Sequence, residues 1–171
     1  MAGGRLVKVH RLTIRTLLVE FKYTVEAEAV NSFWESRTRG ELKRRPEKLG
    51  QEMLGVFARA WLKGRGAAIR EAASGIGFVD VLFTFSSGLL HVVELKMLRG
   101  REVPGPAQLE TYMRHKGRRE GWLVLFDTRS AAEKAPVPLV LKRQVGIIRT
   151  VLVDINPLPP SRVARGPAAC G

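Results

Sequence analysis

The chain has 171 residues and a hydrophobic fraction of 45%, which fits one globular domain with its own core. Lysine and arginine together number 29 against 16 acidic residues, so the formal net charge is +13 and polyanions are the expected partners. There is no apolar run of membrane-spanning length, no signal-peptide core and only one cysteine, which excludes a membrane span and an internal disulfide framework and predicts a cytoplasmic protein.

The first 35 residues predict a β element. Between residues 6 and 21, apolar and polar side chains alternate, with Ile14 and Leu18 on the apolar face, and such alternation is typical of a half-buried strand. Residues 22–33 fit either the second strand of a hairpin or the start of a helix, and both alternatives stay open. We therefore expect residues 1–35 to form an appended N-terminal β element.

A polar, basic connection follows at residues 35–46 and ends with Arg44 and Arg45 before a proline. Such a segment is either a solvated loop or a flexible cationic strip that contacts phosphate. We favour the second interpretation, which makes Arg44 and Arg45 candidate nucleic-acid-binding residues.

The next segment predicts a helix over residues 46–63. Pro46 suits the first turn of a helix, and apolar side chains then recur at helical spacing. Glu47 flanks the apolar face, which would pack on a sheet, whereas Glu52 lies on the opposite side. We therefore prefer Glu47 as an acidic group near a site, the alternative being that it only compensates the helix dipole.

Residues 78–96 predict a β-hairpin, because two runs of β-branched and aromatic residues flank a short Ser-Ser-Gly. A three-residue loop at 86–88 places Gly88 where a left-handed residue is needed. In that register Asp80 lies opposite Glu94, and directly opposed residues on one face have Cβ atoms roughly 5 Å apart.

Lys96 shares the face of Glu94, since the two are two residues apart on a strand. Two carboxylates this close repel each other, and burial makes their ionisation costlier. A divalent cation between Asp80 and Glu94 removes both problems, and such oxygen ligands suit Mg²⁺, with Mn²⁺ as a substitute. Lys96 would then orient or deprotonate a water, or stabilise developing phosphorane charge. The alternative is a buried ion pair that only holds the hairpin in register.

The loop after the hairpin contains Arg99 and Arg101, which are well placed for phosphate contact next to this centre. Residues 106–117 then predict a helix. Gln108 and Tyr112 lie four apart and share a face of that helix. Gln108 would hold a water or a phosphate oxygen, or it is a surface amide beside a core tyrosine.

The remaining chain predicts strands. Residues 122–126 form a continuous apolar run, typical of a strand covered on both faces. Residues 137–141 and 145–153 predict further strands. Residues 156–171 are rich in Pro, Ala and Gly, and we expect a flexible tail.

Val79-Asp80, a hairpin and then Glu94-Leu95-Lys96 resemble the core of the PD-(D/E)XK nuclease superfamily, which has the restriction-endonuclease-like fold. Position 79 is Val, where the superfamily name implies Pro. The metal-site residues are all present.

The resemblance covers about residues 46–127. An acidic helix residue, Glu47, precedes the hairpin, and a Gln-Leu-x-x-Tyr helix and a hydrophobic strand at 121–127 follow it, as in several subfamilies. This ordered set implies a single α/β domain over residues 1–171. A central mixed β-sheet flanked by helices would form the core at 46–153.

The resemblance also implies roles for the residues. Asp80, Glu94 and the backbone carbonyl of Leu95 would bind Mg²⁺, and Lys96 would position or activate water. Gln108 and Glu47 would support these catalytic residues. Arg99, Arg101, Arg44 and Arg45 would contact nucleic acid.

The predicted function is Mg²⁺-dependent hydrolysis of phosphodiester bonds in DNA, with RNA as the alternative substrate. No membrane partner is expected, and a homodimer is the alternative to a monomer. One rival is a catalytically inactive, basic nucleic-acid-binding module of the same fold. Another is a structural protein in which the hairpin ion pair is purely architectural.

Overall fold

A computed structural model describes residues 13–73, 78–130 and 132–156. The helices are α1 (Ile14–Thr24), α2 (Pro46–Leu62) and α3 (Pro106–His115), and a π-helical turn (Val25–Ala29) and a 3-10 turn (Val30–Phe33) follow α1. The strands are β1 (Trp34–Ser36), β2 (Glu41–Leu42), β3 (Gly66–Ala73), β4 (Phe78–Phe85), β5 (Leu90–Leu98), β6 (Glu120–Asp127), β7 (Val140–Lys142) and β8 (Ile147–Asp154).

The central sheet has six strands in the order β3-β4-β5-β6-β8-β7. β6 runs parallel to both β5 and β8, and the other pairs are antiparallel. A separate two-stranded sheet pairs β1 with β2. The predicted α/β class with a mixed sheet flanked by helices is thus confirmed.

Helices cover both faces of the sheet. On one face α1 and α2 pack on the sheet, and Phe126 of β6 contacts Phe21 and Phe33 there. Gly50 lets α2 approach closely, because a Cβ at this position would lie 2.4 Å from the Phe126 ring. On the other face α3 packs through Leu109 and other apolar residues. The central strand β6 is therefore buried on both sides, as its continuous apolar run predicts.

The N-terminal prediction was wrong where the structure tests it. Residues 14–24 form helix α1 and not a strand. Thr13 caps this helix by accepting a hydrogen bond from the backbone N–H of Thr16. The buried residues Ile14, Leu18 and Phe21 recur every three or four positions, as expected for a helix. Ile14 and Leu18 are four residues apart, which also fits the alternation of a strand. For residues 22–33 the helical alternative was right, and residues 1–12 lie outside the described part of the chain.

The hairpin register is confirmed. β4 and β5 pair Val81 with Val93 and Thr84 with Leu90, which is the predicted alignment. Gly88 has a φ of 74° and closes the turn by donating to the Phe85 carbonyl over 2.8 Å.

The other predicted elements are present with shifts of a few residues at their ends. α2 begins at Pro46 as expected, and left-handed Lys63, with a φ of 47°, ends it. The predicted helix at 106–117 and the strands at 122–126, 137–141 and 145–153 correspond to α3, β6, β7 and β8. Residues 157–171 of the predicted tail are outside the described residues. Within the described ranges, no helix is long and apolar enough to cross a membrane.

Candidate active site

The candidate site lies where β4 and β5 stop pairing. The last pair of their ladder at this end is Val81 with Val93. Beyond it, the β5 backbone donates to carboxylates: Leu95 N–H to Asp80 Oδ2 over 2.7 Å, and Met97 N–H to Glu47 Oε1 over 3.1 Å. Asp80 of β4 and Glu47 of α2 thus accept the hydrogen bonds that a neighbouring strand would otherwise accept. These bonds hold the two acidic groups against the edge of β5.

Glu94 and Lys96 form the centre of the site. The Lys96 Nζ lies 2.8 Å from Glu94 Oε1 and 4.0 Å from Glu47 Oε2. Glu94 is fully buried, and neither of its carboxylate oxygens accepts a hydrogen bond of acceptable geometry. Oε1 has the Lys96 ammonium as its ion-pair partner, and Oε2 has no hydrogen-bond partner among the described residues. A buried, unsatisfied carboxylate is costly, and it needs a further partner.

The electrostatics of these groups follow from this arrangement. Burial first, and then the nearby charge of Asp80, raise the pKa of Glu94 to about 7, although Lys96 opposes the shift. Burial alone would lower the pKa of Lys96, but contact with Glu94 and the charges of Asp80 and Glu47 outweigh burial, so the Lys96 pKa is raised. Lys96 is thus an ammonium ion that donates hydrogen bonds.

The donor set fits a hard divalent cation. Glu94 presents one oxygen paired with Lys96 and one without a hydrogen-bond partner among the described residues, and Asp80 lies close enough to raise the pKa of Glu94. The Leu95 N–H faces Asp80, and the carbonyl of a strand residue lies on the same side as its N–H. Within the described ranges, no three acidic, histidine or cysteine side chains form a group that could hold a metal. Two carboxylates, a carbonyl and waters are nevertheless the kind of ligand set that Mg²⁺ takes.

Helix α2 contributes a residue that sequence reasoning missed. Gln51 Nε2 donates to Asp80 Oδ1 over 2.7 Å and fixes that carboxylate from the helix side. The sequence could have identified Gln51, because this residue lies one helical turn after Glu47 and shares its face. The preference for Glu47 over Glu52 agrees with the structure, since Glu47 contacts β5 and Glu52 is exposed.

The predicted partner on α3 is less closely connected. Gln108 is exposed, and its Nε2 donates to the Tyr112 hydroxyl over 3.0 Å, so the predicted shared face is confirmed. No contact among the described residues joins Gln108 to Glu94 or Lys96. The helix itself begins beside the site, because a Cβ on Gly105 would lie 3.0 Å from Lys96 Cγ.

An open groove with a volume of about 350 Å³ adjoins the carboxylates. Its walls come from the start of α2, the segment before it and the end of β5, namely Arg44, Arg45, Pro46, Glu47, Lys48, Gln51, Met97 and Arg99. Three of the four predicted nucleic-acid-binding residues therefore line one groove, and Lys48 adds a fourth cation. Arg101 is exposed and does not line it. The groove reaches Glu47 and Gln51, which contact Lys96 and Asp80.

Comparison with known proteins gives a family but no activity. A family model described as a domain of unknown function (DUF8371) matches residues 11–130. The matched segment includes every residue of the candidate site and groove. Comparisons with curated proteins and with solved structures find no match.

Proposed function

The chain belongs to this domain family of unknown function, and we propose that it is a metal-dependent nuclease that hydrolyses phosphodiester bonds in DNA. The observation that supports the proposal most is the fully buried Glu94 carboxylate. It lies beside Asp80 and Lys96, and neither of its oxygens accepts a well-formed hydrogen bond. Such a group is costly in a purely structural role.

Asp80, Glu94 and the Leu95 carbonyl would hold the cation. When bound, Mg²⁺ would lower the pKa of a water, polarise the scissile phosphate and stabilise the leaving oxygen. The ordered combination of Asp80, Glu94-Leu95-Lys96 and an acidic helix supports assignment to the PD-(D/E)XK superfamily as part of the same proposal.

The remaining side chains have roles that follow from their contacts. Lys96 is an ammonium ion next to Glu94, so it would orient the attacking water and offset negative charge on the phosphate. Glu47 accepts from the Met97 backbone and lies 4.0 Å from Lys96, which fixes where that ammonium points. Gln51 fixes Asp80 in the same way.

The basic groove supports a nucleic acid substrate. Arg44, Arg45, Lys48 and Arg99 surround an opening that reaches Glu47 and Gln51, and phosphate contacts by such residues supply most non-specific affinity for DNA. A backbone lying in this groove would place a phosphodiester next to Lys96.

The test is cleavage of plasmid DNA, single-stranded DNA and RNA by the purified chain, with Mg²⁺, Mn²⁺ or a chelator. We expect Asp80→Asn, Glu94→Gln and Lys96→Ala each to lower the Mg²⁺-dependent cleavage rate by at least about 10³-fold, since each removes a group at the reacting phosphate. Glu52→Gln, an exposed change on helix α2, is the control and should cleave normally.

Two results would overturn the proposal. The first is undiminished cleavage by Glu94→Gln. The second is DNA binding by the wild-type chain with no divalent-dependent cleavage of any substrate, which would identify a binding module of the same fold.

A further inference from the structure

The end of the sheet away from the candidate site bears a dense cationic cluster. Two loops meet there, because Ile147 N–H donates to the Arg119 carbonyl over 2.9 Å and Gly146 packs on the Arg119 backbone. Six cations lie on or beside these loops, and we call them the far-end surface: Arg114, Lys116, Arg118, Arg119, Lys142 and Arg143.

A buried carboxylate organises part of this surface. Glu110 of α3 is only 8% exposed, and it accepts from Arg143 Nε over 3.0 Å and from Val145 N–H over 3.2 Å. Arg114 Nη2 lies 4.0 Å from the same side chain. Because Arg143 uses its Nε for Glu110, its terminal amino groups stay available to another acceptor.

Other cations of the surface are not neutralised. Arg119 and Lys142 are exposed, and no carboxylate of the described residues pairs with either of them. Lys142, Arg143 and Gln144 line an opening of about 560 Å³ together with Glu110. The acidic side chains here are Glu110, which contacts Arg143 and Arg114, and Glu120, which pairs with Arg149. Arg119 and Lys142 therefore contribute an excess of positive charge.

From these observations we infer that the far-end surface is a second binding site for the phosphate backbone of nucleic acid, separate from the groove at the candidate active site. The inference rests on the proposed function only in taking nucleic acid as the partner. It does not depend on cleavage.

The far-end surface and the candidate site lie about one length of helix α3 apart. Helix α3 begins at Gly105 beside Lys96 and ends at the far-end surface, and its ten residues span about 15 Å. That length corresponds to roughly four or five base pairs of DNA at 3.4 Å per pair.

A lipid surface is the other polyanion that could bind six cations. Membrane-surface binding by protein segments combines cations with inserted apolar side chains. The exposed large apolar residues of the described chain are Tyr23, Val56, Ile69, Leu89, Leu139 and Val140. Leu139 and Val140 precede Lys142 on and beside β7, and the other four lie elsewhere in the chain. The four cations at 114–119 have no exposed large apolar residue next to them in the chain, so the far-end surface matches nucleic acid better.

The test is binding of a fluorescein-labelled DNA duplex by the full chain in a chelator, measured over a range of salt concentrations. Arg119→Gln with Lys142→Gln removes two unpaired cations from the far-end surface. Arg59→Gln with Lys63→Gln is the matched control, because it removes two exposed cations from the end of α2. Both double variants keep the backbone hydrogen bonds of their loops, and equal melting temperatures would confirm intact folds.

Each lost phosphate contact lowers the slope of log affinity against log salt by about 0.9. We expect the far-end variant to lower the slope by about two and to weaken binding about tenfold or more, and the control variant to bind as the wild type does. Equal losses in the two variants, or no loss in the far-end variant, would overturn the inference. The inference would also be overturned if the far-end variant lost binding to phosphatidylserine vesicles while its DNA binding stayed unchanged.

This outcome is independent of the proposed nuclease activity. A chain that binds DNA through the far-end surface but never cleaves it keeps the inference and refutes the proposed function. If the chain cleaves DNA but the far-end variant keeps the wild-type salt slope, the proposed function stands and the inference is refuted.

Discussion

Two fully buried carboxylates lie on adjacent parallel strands, Glu94 in the middle of β5 and Asp127 at the end of β6. Asp127 accepts from Arg129 Nε and Nη2, each over 2.9 Å, and also from the Arg129 backbone N–H. Glu94 accepts no well-formed hydrogen bond and has only the Lys96 charge at 2.8 Å. The Asp127 carboxylate therefore has its hydrogen-bond partners within the chain, whereas the Glu94 carboxylate lacks them.

Their pKa values diverge accordingly. Burial would raise the pKa of Asp127, but the hydrogen bonds and charge of Arg129 outweigh burial and lower it. Burial and the charge of Asp80 raise the pKa of Glu94 to about 7. Burial by itself therefore does not mark a functional group. The missing hydrogen-bond partners do, and experiments can separate the two cases.

We expect the largest effect on stability from breaking the buried Arg129–Asp127 ion pair. Arg129→Met keeps most of the side-chain volume but leaves Asp127 as a buried, unpaired charge. We expect the free energy of unfolding to fall by about 3–5 kcal/mol, measured by urea denaturation. Arg39→Met is the control, since it breaks an exposed pair with Glu41 and should cost less than about 1 kcal/mol. Similar losses in both variants would show that the Asp127 pair has no special structural role.

At Glu94 we expect a substitution to change the free energy of unfolding in the opposite direction. Its pKa is higher in the folded chain than its usual value of 4.5. The folded state therefore binds more protons between about pH 4.5 and 7, and the contribution of Glu94 to stability is lost as the pH rises through that window.

We therefore expect Glu94→Gln to match the wild type near pH 5 in a chelator and to be more stable near pH 8. The gain would be on the order of 3 kcal/mol, because the pKa of Glu94 rises from 4.5 to about 7 in the folded chain. Chemical denaturation at several pH values measures it. Added Mg²⁺ should stabilise only the wild type, and parallel stability curves for the two chains would contradict this account of Glu94.

The smallest effect is expected when the carboxylate beside Glu94 loses its positioning partner. Gln51→Ala removes the 2.7 Å hydrogen bond to Asp80 but no proposed ligand. We expect affinity for Mn²⁺ to fall by about 10- to 100-fold, as for other residues that orient metal ligands. Calorimetric titration measures it, with Glu52→Ala as the control on the same helix. Unchanged Mn²⁺ affinity in Gln51→Ala would show that Asp80 does not need this contact.

The sequence predicted the parts of the site that depend on local pattern. The Ser-Ser-Gly loop predicted the β4–β5 register, which the pairs from Val81–Val93 to Thr84–Leu90 confirm, because strand pairing is determined once the turn is known. Asp80 and Glu94 lie directly beyond the Val81–Val93 pair. Helical spacing likewise placed Glu47 on the sheet side of α2. The first helix was missed, since the apolar positions of α1 fit alternation until the Thr13 cap and the buried spacing are seen together.

By itself, then, the sequence determined most helices and strands of the α/β core, the hairpin register and the high positive charge, because turn chemistry, hydrophobic periodicity and composition are local properties. The mixed order of the sheet came from the resemblance and was confirmed by the structure. Only the tertiary structure decided that Gln51 holds Asp80, that Arg44, Arg45 and Arg99 share one groove, and that the loops at 114–119 and 142–144 meet. Those contacts join residues far apart in the chain, and their geometry depends on how α2 and α3 pack on the sheet. It also decided which buried carboxylate has its own partners, since hydrogen-bond satisfaction is a matter of three-dimensional distance and angle.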